Sequence, residues 1–201
     1  MSRRTHRVQD TTGFLLHATA WRETSLIIQL FSQEHGVVAL VAKGAKRPHS
    51  VLRPVLSAFQ PLSVSWSGNG EIKTLTRADS IGILPLKGRA FMSAWYMNEL
   101  LLRLLPREDP HPLLFDAYRI ALEQLAGVFG TSSDRHSASG SLRRFEWVLL
   151  QETGYGLDQS PPDFFDPQQE PEIRHVLRER VDELLGRPLL TRKVLMELYR
   201  S

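Results

Sequence analysis

The chain has 201 residues, of which 42% are hydrophobic, and 25 Lys and Arg oppose 22 Asp and Glu for a formal net charge of +3. Such a chain can bury one sizeable core or two small ones, and its lack of cysteine excludes disulfides, thiolate catalysis and cysteine-based zinc frameworks. No run of about 18 apolar residues occurs, and no hydrophobic signal-peptide stretch follows the charged residues 1–10. We therefore expect a cytoplasmic protein with no membrane partner.

The positive charge is concentrated in the first part of the chain. Residues 1–80 contain ten Lys and Arg against five Asp and Glu, whereas residues 81–201 contain fifteen against seventeen. A basic first part suits a polyanionic partner, and a nearly neutral second part suits a scaffold or a protein-binding surface. A chance imbalance between solvated faces is the alternative explanation.

The first eighty residues have the composition and punctuation of β-strands. Val, Ile, Leu and Phe are enriched in five segments, and turn residues such as His35-Gly36 and Gly68-Asn69-Gly70 separate them. Ile72 and Leu75 break the alternation of the last segment, which predicts a bulge or a curled strand there. Five curled strands favour a small OB-fold barrel, with an SH3-like barrel as the alternative. The predicted strands are residues 11–21, 25–33, 37–44, 59–67 and 71–80.

After the strands, the hydrophobic period changes to that of helices. Residues 91–105 are apolar on more than one face, which indicates a largely buried helix, and Gly154 is a plausible left-handed helix end. Residues 130–141 are rich in Ser and Gly and predict a mobile loop. The predicted fold class is α+β, with an OB-fold domain at 1–82 and an all-helical domain at 83–201. The predicted helices are residues 91–105, 112–129, 142–154, 172–186 and 191–200.

No catalytic or metal-binding constellation can be assembled from the sequence. No phosphate-loop motif follows a strand, and the seven histidines never recur at the i, i+4 spacing that a helix uses for zinc. Segment 133–136 contains Ser, Asp and His, but neighbours in one polar loop cannot be held in line as a hydrolase triad. Asp158, Asp163 and Asp166 favour a solvated linker over a cation site. We expect no enzyme activity, no metal and no cofactor.

The strongest binding feature is the basic stretch between the third and fourth predicted strands. Lys43, Lys46, Arg47 and Arg53 fall within eleven positions there. A loop that presents these side chains on a small barrel can contact successive phosphates, and each neutralised phosphate releases condensed counterions. The stretch therefore predicts binding to the nucleic-acid backbone rather than to a particular base sequence.

Aromatic residues of the same domain could stack on bases, as they do in single-strand binding platforms. Trp21 is followed by polar residues, which favours exposure, whereas Phe59 lies in an apolar run and is the better candidate for the core. Trp66 is a third aromatic candidate, and His49 could extend the basic surface. The candidate DNA-binding residues are Lys43, Lys46, Arg47, Arg53, Trp21 and Arg77.

Two other function classes compete with a nucleic-acid binder. A non-catalytic adaptor could use the same basic loop to bind the acidic surface of a partner protein. An enzyme acting on nucleic acid is the weaker alternative, because the sequence offers it neither metal ligands nor a nucleophile.

Several segments resemble the RecO family of bacterial recombination mediators. The stretches "FLLHATAWRETSLIIQLFSQEHGVVALVAKGAKR" and "LRPVLSAFQPLSVSWSGNGEIKTLTRAD" look like the N-terminal OB domain of that family. "YMNELLLRLL" and "LRRFEWVLLQETGYG" resemble its Tyr-x-Asn-Glu-Leu-Leu helix and its Arg-Arg-Phe-Glu to Gly-Tyr-Gly segment, and "LLGRPLLTRKVLMEL" resembles its closing Gly-x-Pro-Leu-x-Ser-Arg stretch. The motifs occur in the family's order and cover most of the chain.

The resemblance implies a non-catalytic, nucleoid-associated protein of recombinational DNA repair. Such proteins bind single- and double-stranded DNA, anneal complementary strands coated by the single-stranded-DNA-binding protein (SSB), and act with RecR, in some lineages also RecF, to load RecA. The family's DNA contacts fall on the loop that is 43–47 here.

The resemblance also implies a peptide site in the helical domain, where the family docks the acidic, Phe-terminated tail of SSB. That tail requires a basic rim beside an apolar groove. A helix start with surface arginines and a core tryptophan is the alternative interpretation of the same segment. The candidate tail-binding residues are Leu142, Arg143, Arg144 and Trp147.

The sequence departs from the family in two places. Many members carry a four-cysteine zinc module after the Gly-Tyr-Gly segment, whereas this chain has no cysteine. Without a structural zinc ion, packing of the helices must offset the lost folding energy, or the region is smaller. The Ser-rich segment 130–141 is also longer than the family usually shows.

Overall fold

The computed structural model describes residues 6–127 and 134–191. The chain divides into two compact units, which we call the barrel unit (Met1–Leu84 with Pro106–His111) and the helical unit (Pro85–Leu105 with Pro112–Ser201). In the described ranges, every helix is too short or too polar to cross a membrane.

Five strands of the barrel unit close into a barrel in the order β1-β2-β3-β5-β4. The long first strand makes this possible, because its beginning pairs with β4 and its end pairs with β2, both antiparallel. Parallel pairing of β3 with β5 closes the opposite side. This arrangement, followed by helices, confirms the predicted OB-type fold. The elements are β1 (Arg7–Trp21), β2 (Ser25–Ser32), β3 (Gly36–Ala42), α1 (Leu52–Val55), β4 (Pro61–Ser67) and β5 (Ile72–Ser80).

Most aromatic residues of the barrel unit are buried, and Trp66 belongs to its apolar core cluster. Trp66 and Phe59 are each 1% exposed, so the core position of Phe59 is confirmed and the stacking role considered for Trp66 is wrong. The predicted bulge in β5 is also confirmed. Ser65 pairs with Arg77 and Trp66 with Leu75, which leaves one extra residue on β5.

A returning segment, Pro106–His111, completes the barrel unit. Arg107 forms an isolated bridge with Val37, and the Glu108 N–H donates to the Val37 carbonyl at 3.1 Å. The ammonium of Lys73, which is nearly buried, forms an ion pair with Glu108. Because these contacts join residues far apart in sequence, strand periodicity could not predict them.

Four described helices build the helical unit: α2 (Arg89–Leu104), α3 (Pro112–Leu125), α4 (Asp134–Glu152) and α5 (Glu170–Leu185). Gly154 has φ of 80° just beyond α4, as predicted. The predicted helix 191–200 lies outside the described residues after Thr191, and the predicted helix 112–129 does so after 127.

The loop predicted at 130–141 is wrong from Asp134 onward, where α4 begins. The small residues of this segment serve close packing rather than mobility. A Cβ on Gly140 would lie 2.5 Å from the Phe164 carbonyl oxygen, and the Ser139 hydroxyl donates to Glu170 at 3.0 Å. Residues 130–133 lie outside the described part of the chain.

Candidate functional site

The basic loop leaves the barrel at the end of β3 and is anchored to the turn between β1 and β2. The Lys46 N–H donates to the Thr24 carbonyl at 2.9 Å, and the Gly44 N–H approaches the Ser25 hydroxyl at 3.5 Å. Gly44 has φ of 70°, a conformation that glycine adopts without strain. Ala45 is buried. The backbone is therefore fixed while the charged side chains remain free to meet a ligand.

A recess of about 710 Å³ lies between this loop and the β1–β2 turn. Trp21, Lys43 and Arg47 all line it, so the structure brings three of the six predicted DNA-binding residues together. Trp21 is 44% exposed. An aromatic face thus lies beside two exposed cations, which is the pairing that single-stranded nucleic acid requires.

Arg22 belongs to the same recess and was missed by sequence reasoning. Its guanidinium carbon lies 5.9 Å from the centre of the Trp21 ring, a cation–π distance. Arg22 also has a left-handed φ of 53°, which turns the chain between β1 and β2. An arginine directly after an exposed tryptophan at a strand end was the available sequence clue. The recess carries one opposing charge, Glu23.

The remaining predicted DNA-binding residues lie outside the recess lining. Lys46 is exposed on the same loop, and Arg53 is exposed on α1. Arg77 is exposed on β5, where its Nε lies 2.6 Å from Asp79 Oδ2. Lys46 and Arg53 can extend a phosphate track from the loop, whereas the charge of Arg77 is already balanced by a neighbour.

The helical unit contains an apolar groove with a basic rim, which we call the arginine groove. Its volume is about 230 Å³, and Arg143, Arg174 and Arg178 line it. A neighbouring recess that shares Arg143 and Arg174 adds Arg89. Two acidic side chains, Glu146 and Asp182, also line the groove. The apolar lining residues are Met92, Leu142, Val181 and Leu189.

Arg143 is held in place by a buried polar network. The residue is 8% exposed, and its Nη1 lies 2.9 Å from Glu146 Oε2. The Tyr96 hydroxyl donates to Glu146 Oε1 at 2.7 Å. The Nε of Arg143 is itself buried and has no hydrogen-bond partner among the described residues.

Burial sets the protonation behaviour of this network. Desolvation raises the pKa of Glu146, while Arg143 and the hydrogen bond from Tyr96 oppose that shift. The pKa of Tyr96 is also raised, first by burial and then by the nearby charge of Glu146. Tyr96 therefore stays neutral and donates a hydrogen bond from its hydroxyl to Glu146. Glu146 in turn holds the Arg143 guanidinium in place.

The four predicted tail-binding residues do not lie together. Leu142 and Arg143 line the arginine groove, whereas Arg144 is exposed and Trp147 lines a different recess, beside Asp158. The 3.6-residue period explains the separation, because successive helical residues point about 100° apart. Arg174 and Arg178, which the sequence reasoning missed, line the groove with Leu142 and Arg143. Their i, i+4 spacing on the predicted helix 172–186 was the signal that could have found them.

Helix α2 contains the Tyr-x-Asn-Glu pattern, and its Asn and Glu side chains form hydrogen bonds within the helical unit. Asn98 accepts a hydrogen bond of 2.6 Å from the buried Tyr118 hydroxyl. Glu99 accepts from the backbone N–H groups of Leu190 and Thr191 at 2.8 and 2.9 Å. The Tyr-x-Asn-Glu pattern thus ties α2 to the rest of the helical unit.

In the described ranges, no three His, Asp or Glu side chains lie together as a metal site would require. Asp163 and Asp166 instead accept hydrogen bonds from the backbone N–H groups of Phe165 and Gln168, both at 2.9 Å. These are local turn contacts.

Comparison with protein families accounts for both units. The model of the Recombination protein O N-terminal domain matches residues 7–84, and that of its C-terminal domain matches residues 86–160. This chain belongs to the RecO family. The two matches follow each other along the chain as the barrel and the helices do.

Named relatives agree with the family. DNA repair protein RecO of Cupriavidus pinatubonensis is 55% identical over 152 residues, which cover 75% of this chain and 50% of the relative. The protein of the same name from Ralstonia nicotianae is 53% identical over 155 residues, covering 77% and 54%. That of Aromatoleum aromaticum is 54% identical over 152 residues, covering 75% and 60%. The chain thus spans about half the length of the first two relatives.

Proposed function

We propose that this RecO-family chain is a non-catalytic mediator of recombinational DNA repair, located in the cytoplasm on the nucleoid. Its barrel unit holds single- and double-stranded DNA through phosphates, and its helical unit recruits SSB. The chain anneals complementary strands and, together with RecR and in some settings RecF, helps to load RecA. The observation that carries the proposal is the recess that joins Trp21 to Lys43 and Arg47 on a closed five-stranded barrel.

The electrostatics of the barrel unit support DNA as the ligand. Lys43, Lys46, Arg47 and Arg53 are exposed, and none forms an ion pair with another described residue. Their charges are therefore available to phosphates. The anchored loop backbone reduces the entropy that binding would otherwise cost. Because the loop offers charge rather than a set of aligned base-edge donors, we expect little sequence preference.

The arginine groove supports recruitment of an acidic peptide. Arg174 and Arg178 are exposed and can meet carboxylates, and the apolar lining can take an aromatic side chain. Arg174 and Arg178 lie one turn apart on α5. We assign the SSB tail to this groove through Arg143, Arg174 and Arg178, with Leu142 in its apolar wall.

Strand annealing tests both parts of the proposal. Complementary oligonucleotides are coated with intact SSB or with SSB that lacks its acidic tail, and duplex formation is followed by fluorescence. We expect rapid annealing with intact SSB and a large loss of rate without the tail. An Arg174→Ala, Arg178→Ala variant should lose rate with intact SSB and behave like the unaltered chain with tail-less SSB.

Two outcomes would contradict the assignments separately. Equal annealing with and without the tail would remove the peptide role from the arginine groove. If labelled oligonucleotide does not bind below about 0.1 mM at physiological salt, which is weaker than ordinary non-specific association, the barrel unit is a protein adaptor instead.

A further inference from the structure

A third recess lies in the helical unit and has no part in the proposed function. It is formed between segment 157–162 and one face of α5, has a volume of about 420 Å³, and shares no lining residue with the arginine groove. A volume of this size accommodates bulky apolar groups. Its apolar lining residues are Trp147, Leu157, Pro162, Ile173, Val176 and Leu177. We call it the acidic recess because of its rim.

The rim carries negative charge without compensation. Asp158 and Glu172 line the opening, and the lining includes no Lys, Arg or His. Both carboxylates are exposed, and neither forms an ion pair with another described residue. An apolar floor with an acidic rim disfavours an acidic ligand and favours a cationic one.

Helix α5 separates the two opposite charges. At 100° per residue, Glu172 and Val176 fall on one side, and Arg174 and Arg178 fall about 200° further round. The stripe between them is buried, with Ile173 at 8% and Leu177 at 1% exposure. One helix therefore presents a negative face to the acidic recess and a positive face to the arginine groove. Ligands of opposite charge can be bound on the two sides without competing.

Side-chain and backbone contacts preform the acidic recess. The Trp147 ring makes an edge contact with Phe164, with ring centres 5.9 Å apart. The Gln151 side chain donates to the Leu157 carbonyl at 3.2 Å, which fixes the start of the wall. The next turn along the chain is closed by the Phe165 N–H, which donates to Asp163 at 2.9 Å. A binding partner would not have to pay for ordering these walls.

We propose that the acidic recess docks a cationic amphipathic segment of a partner protein. A bulky apolar side chain of that segment would enter above Trp147 and Val176, and flanking Lys or Arg residues would reach Asp158 and Glu172. Charge complementarity is what selects this occupant. The same rim repels an acidic tail.

Fluorescence anisotropy with short labelled peptides tests this proposal. The probe peptide carries one central Trp flanked by Lys and Arg in a Gly-Ser background; one control replaces the basic residues by Glu, and another replaces Trp by Ala. We expect the basic Trp peptide to bind at least about tenfold more tightly than either control, since both a hydrophobic anchor and desolvated charge contribute.

Matched variants locate the binding. Asp158→Asn with Glu172→Gln changes exposed side chains and should weaken the basic peptide about tenfold. Glu179→Gln with Glu183→Gln removes the same charge from exposed positions of α5 outside the recess lining and should leave binding unchanged within about twofold. Circular dichroism verifies that each variant is folded. Equal binding of basic and acidic peptides, or equal binding by both double variants, would overturn the proposal. Self-association that is lost only in Asp158→Asn, Glu172→Gln would overturn it too, because the occupant would then be a second copy.

Discussion

The basic loop of the barrel unit and the basic segment at the middle of α4 contain the same residue types in opposite physical states. Lys43 and Arg47 are exposed beside a recess and free of ion pairs with described residues. Arg143 is buried and paired with Glu146. The full charge of a side chain in an anchored, exposed loop is thus available to a ligand. A buried charge such as that of Arg143 is held by its ion-pair partner, so its removal affects folding as well as binding.

The sharpest test of this contrast is Arg143→Ala. Removal of the guanidinium leaves Glu146 buried without its counter-charge, so the free energy of unfolding should fall by about 3–5 kcal/mol. Urea denaturation measures the change. Arg144→Ala alters the exposed neighbour and should stay within about 0.5 kcal/mol of the unaltered chain. Similar small changes in both variants would contradict the buried network.

Trp21→Ala should separate binding from stability in the barrel unit. Loss of one stacked base costs about 1–3 kcal/mol of single-strand affinity, whereas removal of a half-exposed side chain should change unfolding far less. Oligonucleotide anisotropy and thermal denaturation measure the two quantities. Trp21→Phe keeps an aromatic face and should retain most of the affinity. A Trp21→Ala variant that binds normally would remove base stacking from the recess.

Glu146→Gln tests the electrostatics of the arginine groove through pH. Burial raises the folded-state pKa of Glu146 above its ordinary value of 4.5, so the folded chain binds more protons than the unfolded chain between those two values. The stability contributed by Glu146 must therefore decrease as pH rises from about 4.5 toward the raised folded pKa. The unfolding free energy of the unaltered chain minus that of Glu146→Gln should fall over this window. A difference that is constant or rises would contradict the raised pKa.

Arg77→Ala is expected to have the smallest effect. Arg77 pairs with Asp79 on the strand and does not line the recess, and an exposed pair contributes about 0–1 kcal/mol. Oligonucleotide affinity should change by less than about threefold. A loss as large as that of a loop cation would extend the DNA site along β5.

The comparison also shows where sequence patterns are sufficient. Strand alternation and the Gly68-Asn69-Gly70 turn predicted the five-stranded barrel. The basic stretch between two strands identified a loop, and the exposure of its charged residues could be predicted from the local sequence alone. The burial of charged residues on helices was harder to predict. Arg143 and Arg144 are neighbouring residues of the same type, but Arg143 is buried against Glu146 and Arg144 is exposed. Which of the two is buried depends on the side chains that pack against the helix.

The small residues of segment 130–141 caused the other wrong prediction, that of a mobile loop. Ser139 and Gly140 have a loop-like composition, yet they permit close approach of Phe164 and Glu170 to a helix. The composition rule treats glycine as flexible, whereas close packing uses its missing side chain. The recruitment of Pro106–His111 into the barrel unit depends on long-range contacts, which no local pattern records.

The central claim is that the anchored basic loop holds DNA through phosphates, and the salt dependence of oligonucleotide affinity measures it most directly. For Lys46→Ala with Arg47→Ala, the slope of log affinity against log salt should be shallower by roughly two units than for the unaltered chain. Arg7→Ala with Lys87→Ala removes the same charge from exposed positions outside the loop and should leave the slope nearly unchanged. An unaltered slope in the loop variant, or equal losses in both variants, would show that the loop does not hold the DNA.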